Sequence, residues 1–439
     1  MSFGIYIGIL IFFLGIIIGL PICWVFLASA ISTLALVNKS LDFLAGTFYH
    51  SLDNYTLMAI AFFIFAGNLM SRAGVADRLV HLAQSMVREV KGGMVAVGII
   101  ATLIFSSLTG SAVPCVAAFV PILVEPLEKY GYERRYTTAV LCCCSFLGYL
   151  IPPSVPVLFY CLIAHQSVAA VFLSTIIPGS LITIGYLTLN YFISGKYMHN
   201  AIDKKVHQLT KEEKLKSLWG SLPALATPII VIIGIYGGIC TSNEVGAIIV
   251  MYTVFIGVWV YKTLDKKNLL LCTKDTIVSL GMAFTLLAFG TVFARVFTRE
   301  GLPQLMANLI IGLFHSKYMV LLMINILLLI MGMFIDGVPI LVIVVPMILP
   351  LVSNLDINLV HLGAIIVLNV GIGVVTPPFA VSIFVGSRLS GVPYADLIKP
   401  ILLYLFIVAL PVLFLVTYIP ALSCWLPNLI MGSKIVGNW

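Results

Sequence analysis

Two stretches of the sequence decide the fold: Met331-Gly-Met-Phe-Ile-Asp-Gly-Val-Pro339 and Phe105-Ser-Ser-Leu-Thr-Gly-Ser-Ala-Val-Pro114. Each interrupts an apolar run that is long enough to enter a bilayer. Landmarks in and around them recur 225 positions apart: Pro114 with Pro339, Pro121 with Pro346, Gly148 with Gly373, and Pro152-Pro153 with Pro377-Pro378. An internal duplication explains this constant spacing. Paired, Gly- and Pro-interrupted apolar segments are typical of a transporter binding site, because broken helices expose backbone groups.

Composition places the chain in a lipid bilayer. Of its 439 residues, 61% are hydrophobic and 9% are charged, and the mean hydropathy is +1.14. So few polar groups could not cover the surface of a water-soluble fold. Because a spanning helix needs about 20 apolar residues, we expect roughly ten spans beside the two interrupted segments. The polar segments 196–217 and 262–275 are predicted to be loops, and the positive charge forms no extended basic face for nucleic acid.

The amino terminus and the cysteines carry weaker signals. The first twenty residues lack a positive start and a small-residue cleavage site, which predicts a retained span and not a secretory signal. The nine cysteines form no CxxC pair. The triplet Cys142–Cys144 lies in an apolar run and is predicted to pack there as small apolar side chains, with a metal or redox role as the alternative.

The positions of Lys and Arg predict how the spans are oriented. Positive residues crowd four segments, which we expect to face the cytoplasm: 72–91, 129–135, 196–216 and 262–274. From these anchors a span over 55–71 runs inward, and the first interrupted segment enters and leaves on the cytoplasmic side. A span over 276–297 runs outward, so the second interrupted segment enters and leaves outside. Arg72-Ala-Gly74 and Arg299-Glu-Gly301 correspond in the two halves and are predicted to face opposite sides.

These expectations define a fold class: an all-α polytopic membrane protein with an inverted-topology repeat, two re-entrant helical hairpins and two helices broken at Pro-Pro. The predicted divisions are N-terminal scaffold spans 1–54, a first repeat 55–195, a cytoplasmic loop with connecting scaffold spans 196–275, a second, inverted repeat 276–427, and a C-terminal tail 428–439. The predicted hairpins cover about 92–127 and 318–352, and the broken helices about 136–164 and 362–387. A last span is predicted over 401–426.

The breaks themselves predict the chemistry of the site. Unpaired backbone groups are costly in hydrocarbon, so non-helical segments at membrane depth must lie within protein or around a cavity. Each half contains one hairpin tip and one Pro-Pro link, and their helix ends can converge near the midplane. Half-helix C-termini and free carbonyls suit a cation, whereas half-helix N-termini suit a carboxylate.

The side chains at the two tips differ. The first tip offers a series of hydroxyl groups around a turn at Gly110: Ser106, Ser107, Thr109 and Ser111. The second tip carries Asp336, which is the one ionisable residue between Lys317 and Asp356 and corresponds to Ser111 in the first half. A lone carboxylate at this depth is predicted to serve a cation site, with a helix cap for the turn at Gly337 as the alternative. Oxygen ligands of this kind favour an alkali cation such as Na⁺ over zinc.

Five motifs resemble the large membrane (M) subunit of tripartite ATP-independent periplasmic (TRAP) transporters, in the ion transporter superfamily: Ser107-Leu-Thr-Gly-Ser-Ala, Gly148-Tyr-Leu-Ile-Pro-Pro-Ser154, Phe172-Leu-Ser-Thr-Ile-Ile-Pro-Gly179, Met331-Gly-Met-Phe-Ile-Asp336 and Leu368-Asn-Val-Gly-Ile-Gly-Val-Val-Thr-Pro-Pro378. The resemblance runs through nearly the whole chain. It implies a multi-pass importer of the bacterial inner membrane, driven by a gradient of Na⁺ with two or more ions carried. It also implies an elevator mechanism, in which a mobile transport domain moves against a scaffold, and no enzymatic activity.

The resemblance further implies partners and site residues. The partners would be a small four-helix membrane subunit (Q type), a periplasmic substrate-binding protein (P type) and the surrounding membrane lipid. The substrate would be a small organic acid, such as a C4-dicarboxylate or a sialic acid. Matching positions give Na⁺ site 1 as Ser106, Ser107, Thr109, Gly110, Gly148, Pro152 and Ser154, Na⁺ site 2 as Asp336, Gly337, Gly373, Val375 and Thr376, and a substrate cavity with Thr109, Ser111, Ser154 and Thr376.

Three alternatives remain open at the level of sequence. A stand-alone carrier of the divalent-anion type shares paired hairpins and broken helices but needs no binding protein. An ion channel can also be lined by broken helices. An intramembrane enzyme fits poorly, because the apolar segments hold one central carboxylate and no His-Glu-x-x-His pattern. Within the transporter hypothesis, the coupling ion could also be H⁺.

Overall fold

The fold is helical throughout the part of the chain that the computed structural model describes, namely residues 3–37, 41–86, 92–198, 211–302, 304–305, 316–353 and 355–437. Within these residues, β-type backbone pairing is limited to one isolated antiparallel bridge between Tyr132 and Met198. The first half comprises α1 (Phe3–Ile18), α2 (Ile22–Leu36), α3 (Asp42–Leu52), α4 (Thr56–Arg72), α5 (Val75–Met86), α6 (Gly93–Thr109), α7 (Ala112–Lys129), α8 (Arg134–Cys144), α9 (Val155–Ala164) and α10 (Val168–Ile193).

The second half continues with α11 (Lys211–Tyr236), α12 (Ser242–Phe255), α13 (Lys266–Arg299), α14 (Lys317–Phe334), α15 (Gly337–Ser353), α16 (Leu359–Val374), α17 (Val381–Ser390), α18 (Tyr394–Tyr404), α19 (Leu410–Tyr418), α20 (Ala421–Met431) and α21 (Ser433–Val436). A π-helical segment, Ile256–Val260, follows α12, and a second one, Leu405–Ala409, joins α18 to α19.

Both interrupted stretches fold as helix–turn–helix hairpins, α6–α7 and α14–α15. Gly110 ends α6 in the left-handed region, with φ +61°, and Ser111 is extended. Ile335, which ends α14, is also extended. Pro114 and Pro339 each lie at the third position of the second helix of their hairpin. Proline is tolerated in a first helical turn because the N–H groups there have no intrahelical acceptor.

Each hairpin begins and ends at the same end of the bundle. The carbonyl of Gly92, just before α6, accepts a 2.9 Å hydrogen bond from the side chain of Asn190 in α10. The chain after α7 returns to the same helix end, where Glu133 N donates to Tyr197 O at 2.9 Å. At the start of α14 the ring of Tyr318 lies 6.0 Å from that of Tyr418. The chain between α15 and α16 returns to the helices that follow α19.

That return is made by two hydrogen bonds. Asn358, between α15 and α16, donates to Val436 O at 2.6 Å. In the first turn of α16, His361 Nδ1 lies 2.6 Å from Ser423 Oγ of α20. Residues 428–437 were predicted as part of a tail. They are helical to Met431 and again over Ser433–Val436, and the hydrogen bond from Asn358 holds them against the start of α16.

The two broken helices, α8–α9 and α16–α17, form the centre of the molecule and run antiparallel. Arg134 Nε, at the start of α8, donates to Ser390 O at the end of α17 at 2.7 Å. At the other end, the Tyr160 hydroxyl in α9 donates to Leu359 O in α16 at 2.5 Å. The residues of Tyr136–Cys144 and Val360–Val374 are all buried. The Cys142–Cys144 triplet belongs to this interior, and Cys142 Sγ lies 3.5 Å from Ser382 O.

The peripheral helices expose apolar side chains, as lipid-facing surfaces do. Trp219, Trp259 and Phe192 are 65%, 63% and 72% exposed. Six helices within the described residues are long and apolar enough to cross a bilayer, or seven if α3 and α4 count as one span bent by 56°. This is fewer than the roughly ten spans expected, because several apolar runs fold as helices of 10–17 residues. The pairing of short helices around breaks accounts for part of the difference.

Three predicted boundaries are wrong. The segment 262–275 was expected to be a loop, but α13 begins at Lys266 and continues unbroken for 34 residues to Arg299. Asp265 starts it by accepting the backbone N–H of Asn268 at 2.7 Å, an N-cap that the apolar pattern does not reveal. The predicted span 401–426 is divided, because α19 ends at Tyr418 and Pro420 precedes a separate helix, α20. The predicted loop 196–217 is also too long at its end, because α11 begins at Lys211; its residues 199–210 lie outside the described part of the chain.

Candidate functional site

The two hairpin tips line a single cavity of about 680 Å³. The first tip contributes Thr109, Gly110 and Ser111, and the second contributes Asp336. The remaining wall comes from the amino-terminal end of α2, from α4, from α13 and from the start of α9. Two segments that lie 225 residues apart in sequence, and that were singled out for their breaks, therefore meet at one site.

The first tip packs directly on the Pro-Pro link of its own half. A Cβ placed on Gly110 would lie 3.1 Å from Pro153 O and 3.2 Å from Val155 N, so the turn and the link are in backbone contact. On the preceding turn, a Cβ on Gly148 would overlap the carbonyl of Ser106. Glycine at 148 thus allows the chain before the link to touch the last turn of α6.

The second half repeats this close approach. A Cβ on Gly332 in α14 would lie 2.6 Å from Gly373 Cα, and one on Gly373 would lie 2.7 Å from Gly332 Cα. One turn further on, a Cβ on Gly337 would lie 2.9 Å from Val370 Cγ1. The tip that carries Asp336 is therefore seated against the last two turns of α16, just before the second Pro-Pro link.

Asp336 faces the cavity and is accessible from it. The backbone amide of Gly337 lies within hydrogen-bonding reach of its carboxylate. Among the described residues, no basic side chain forms an ion pair with Asp336, and Tyr149 approaches from the first link, 3.5 Å from the Cβ position of Gly337. The carboxylate of Asp336 can therefore accept the Gly337 N–H and still offer oxygen lone pairs to the cavity. Capping the helix and binding a cation are compatible roles for this residue.

The hydroxyl groups of the first tip keep their acceptor capacity. Ser106 and Ser107 donate to the carbonyls of residues three positions earlier, at 3.1 and 2.6 Å. Thr109 donates weakly to Ser106 O or Ser111 O, at 3.4 and 3.3 Å. A hydroxyl that donates its hydrogen still offers its oxygen lone pairs to a cation. All three side chains are buried, and each hydroxyl group already has a backbone carbonyl as its hydrogen-bond acceptor.

Two residues expected in the substrate cavity lie outside its lining. Ser154 is fully buried and caps α9 by accepting the N–H of Val157 at 3.4 Å. Thr376 donates to Ile372 O at 2.6 Å, and Val375 ends α16. Thr109 and Ser111 do line the cavity. Pro152 is buried in the first link, beside the tip.

Sequence reasoning missed the opposite wall of the cavity. Asn68 of α4 and Ser279 and Thr285 of α13 line it. Asn68 Nδ2 donates to Thr276 Oγ1 at 2.9 Å, which joins α4 to α13 at this wall. These residues lie within unbroken helices, so no break, motif or charge marks them.

Within the described residues no group of three or more His, Cys, Asp and Glu side chains could hold a metal ion. The donors that the tips do offer are one carboxylate, several hydroxyls and the carbonyls at helix ends. This set matches the hard oxygen ligands of an alkali cation. At the same time, the starts of α7, α9 and α15 all lie at the cavity, and helix N-termini favour the acid group of an anionic ligand.

Comparisons with known proteins identify the family. Residues 9–422 match the family model of the tripartite ATP-independent periplasmic transporter, DctM component. The chain is 32% identical over 418 residues to the sialic acid TRAP transporter large permease protein SiaM of Vibrio cholerae, covering 94% of this chain and 96% of the relative. It is 34% identical over 406 residues to the C4-dicarboxylate TRAP transporter large permease protein DctM of Pseudomonas aeruginosa, covering 92% and 93%.

Solved structures share the fold at low sequence identity. The YdaH transporter of Alcanivorax borkumensis aligns with a TM-score of 0.63 and 16% identity, over 90% of this chain and 89% of that chain. MtrF of Neisseria gonorrhoeae aligns with a TM-score of 0.63 and 12% identity, over 89% and 85%.

The related permease subunits are not enzymes, and their family together with the apolar helices makes the chain a multi-pass protein of the bacterial inner membrane. The predicted resemblance is confirmed: the chain belongs to the DctM family, the large permease component of TRAP transporters.

Proposed function

We propose that this chain is the membrane subunit through which a secondary importer couples the entry of Na⁺ to the uptake of a small organic acid. The observation that carries the proposal is the meeting of two unlike tips at one cavity, one rich in hydroxyls and one carrying Asp336. A carboxylate in the membrane interior is stabilised when a cation binds beside it. Cation and anionic substrate can therefore occupy one site together, which is the physical basis of symport.

The two predicted cation sites have a geometric basis in the contacts of each half. For site 1, the turn at Gly110 touches the Pro-Pro link, and Ser106 touches Gly148. For site 2, Gly332 and Gly373 are in backbone contact just before the tip that holds Asp336. Both arrangements bring the end of one half-helix against the end of another, where carbonyl oxygens are free of intrahelical partners. We assign one Na⁺ to each, with the substrate between the tips.

The antiparallel broken helices and the hairpins that open toward opposite ends support an inverted-topology repeat. The charges at the ends of α13 agree with it. Arg72 pairs with Asp275 at 2.7 Å near one end of that helix, and Arg299 ends it at the other. The 24 residues between Asp275 and Arg299 span about 36 Å at 1.5 Å per residue, which exceeds the roughly 30 Å hydrocarbon core.

We infer an elevator mechanism from the elements that carry the site. The hairpins and broken helices pack on one another as the mobile body. On the scaffold side, α4 and α13 form the facing wall of the cavity, and Gly67 of α4 packs against the backbone of Thr109 at the first tip. A displacement of the tips along α13 would move the bound substrate across the membrane. This division keeps the predicted boundaries at 55–195 and 276–427 as the two repeats, with the connecting spans between them.

Relatives named for sialic acid and for C4-dicarboxylates indicate the substrate class: an organic acid with at least one carboxylate. The family's description as one component of a tripartite periplasmic transporter indicates the partners. We propose that a small four-helix membrane subunit packs against this chain and that a periplasmic binding protein delivers the acid.

The direct test is uptake in proteoliposomes that contain this chain and its small membrane subunit, with the binding protein outside. Radiolabelled sialic acid and succinate serve as probes. An inward Na⁺ gradient should drive accumulation of one of them, and equimolar K⁺ or an inward proton gradient should not. Accumulation driven by protons alone would contradict the assignment of Na⁺.

A further inference from the structure

A second cavity, of about 690 Å³, lies at the other end of α13 from the cavity at the tips. It is enclosed by α3, the end of α9, the outer half of α13 and the middle of α15. Four basic or protonatable side chains converge on it: Arg295, Arg299, His50 and His165. Thr291 and Thr298 line it on the same face of α13, four and three residues from Arg295.

A tight contact between α13 and α15 lies where the two cavities adjoin. On α13, residues up to Leu286 line the tip cavity, and residues from Leu287 onward line the second cavity. In α15 the same change occurs between Pro339 and Val342. A Cβ on Gly290 would overlap Val342 Cγ1, so α13 and α15 are in tight contact at this level. The second cavity is thus the space on the far side of this contact, along the same helix interface.

The basic side chains of this cavity have no acidic neighbours in its lining. Arg295 and Arg299 stand four residues apart on α13, a spacing at which like charges on a helix repel each other. Across the described residues neither guanidinium forms an ion pair, although Arg299 lies 5.3 Å over the ring of Phe43. The acids nearest to this cavity in sequence do not line it: Asp42, Asp53 and Glu300.

The location makes these arginines unusual. By the charge map this end of α13 faces the periplasm, whereas positive residues concentrate on the cytoplasmic side of membrane proteins. Arg295 and Arg299 are exposed at this outer end and line the cavity, so an anionic occupant would meet two guanidinium groups that have no ion-pair partner among the described residues. Arginine forms strong, paired hydrogen bonds with carboxylates and other planar or tetrahedral acid groups, and the threonine hydroxyls add further donors.

We propose that this cavity is an outer vestibule in which Arg295 and Arg299 hold the acid group of the incoming substrate before it passes the α13–α15 contact to the tips. The proposal rests on the proposed import of an organic acid. It places a second substrate subsite between the scaffold helix α13 and the mobile helices α9 and α15, where a bound acid would be released as this contact moves. An anionic lipid headgroup would offer the same chemistry, and the experiment distinguishes the two sources.

The first arm measures the charge preference of the cavity itself. Thr298, which is exposed and lies between the two arginines, is changed to Cys in the intact complex, with Cys23→Ser and Cys240→Ser as background. Anionic and cationic methanethiosulfonates each form a mixed disulfide with this thiol and release methanesulfinate. Relative to a free thiol, the anionic reagent should be favoured about tenfold.

The preference should disappear in the double variant Arg295→Gln, Arg299→Gln and persist in Arg388→Gln, an exposed arginine at the end of α17. An unchanged preference in the double variant would overturn the proposal. This readout needs no transport, so it stands even if the proposed Na⁺ coupling fails.

The second arm identifies the anion. Succinate, sialic acid and isethionate are tested as protectants of Thr298→Cys, and at least one should slow its modification severalfold in vesicles of phosphatidylcholine alone. For an acid that the wild type takes up, the double variant should raise KM about tenfold while the half-saturating Na⁺ concentration stays unchanged. If phosphatidylglycerol slows the modification and none of the three acids does, the cavity binds a lipid headgroup and the proposal is overturned. An unchanged KM in the double variant would also overturn it.

Discussion

At the scale of single residues, the inequality of the two tips is the main result. Ser111 and Asp336 occupy corresponding positions in the two halves, and both line the same cavity. The first supplies an uncharged hydroxyl and the second a carboxylate that is accessible from the cavity. The two proposed cation sites would therefore differ, because a carboxylate binds Na⁺ with a full charge and a hydroxyl with a dipole.

Removing the charge at the second tip should impair coupling. We expect Asp336→Asn, which preserves the shape of the side chain, to raise the half-saturating Na⁺ concentration at least tenfold, or about 1.4 kcal/mol of cation binding. The measurement is Na⁺-dependent uptake in proteoliposomes. Asp356→Asn, an exposed acid in the turn before α16, is the matched control and should behave as wild type. An unaltered Na⁺ dependence in Asp336→Asn would remove this residue from the cation site.

The glycines behind the breaks should be intolerant of any side chain. Gly148→Ala places a methyl group on the Ser106 carbonyl, and Gly373→Ala places one against Gly332. Each should lower the free energy of unfolding by about 1–3 kcal/mol, because both contacts are with backbone that cannot rotate away. Thermal unfolding in detergent measures this. Gly195→Ala, where no atom lies within 4 Å of the added carbon, should leave stability unchanged.

At the scale of helices, the sequence was most informative where the chain is broken. Pro114, Pro339 and the Pro-Pro links are visible as punctuation, and the hairpins lie where these residues predicted them. Continuous helices gave no such signal. The lining of the cavity by α4 and α13 depends on which face of a uniformly apolar helix turns inward, and tertiary packing decides that. The start of α13 at Asp265 and the break at Pro420 were missed for another reason: both are local signals, and the predictions followed the longer polar and apolar runs around them.

A buried polar network joins the second hairpin to its neighbours. Asn369 of α16 donates to Asn325 Oδ1 of α14 at 2.8 Å, and Asn325 donates to Thr417 Oγ1 of α19 at 2.8 Å. Because all three residues are fully or almost fully buried, a missing partner cannot be replaced by water.

Breaking this network should be costly. Asn369→Ala leaves the Asn325 side-chain oxygen without that donor, and we expect a loss of about 1–3 kcal/mol in unfolding free energy. Asn268→Ala, at the exposed start of α13, should change stability by less than about 0.5 kcal/mol. Equal melting temperatures for Asn369→Ala and the wild type would show that the network does not hold the hairpin.

At the scale of the whole molecule, corresponding elements of the two halves run in opposite directions, as the proposed inverted repeat requires. The broken helices lie side by side in opposite directions, each hairpin opens toward a different end, and α13 passes both cavities. The charge map alone predicted the opposite entry of the two hairpins. The outer cavity was not foreseen, because His50, His165 and the two arginines are separated by up to 249 positions and only folding brings them together.

Dependence on a partner distinguishes a TRAP permease from a stand-alone carrier. We expect proteoliposomes with this chain and its small subunit to take up free acid only at background levels until the periplasmic binding protein is added. The family's tripartite composition is the reason. Saturable, Na⁺-driven uptake of free acid without the binding protein would favour a stand-alone carrier of the divalent-anion type, and single-channel currents would favour a channel.

The central claim is that the two hairpins enter the membrane from opposite sides, and the sidedness of Arg72 and Arg299 tests it most directly. Each is replaced by Cys in the background that lacks Cys23 and Cys240, and a membrane-impermeant maleimide is applied to right-side-out and inside-out vesicles. The account predicts labelling of Arg299→Cys only in right-side-out vesicles and of Arg72→Cys only in inside-out vesicles. Labelling of both from the same side would contradict the inverted pair and, with it, the shared site at the tips.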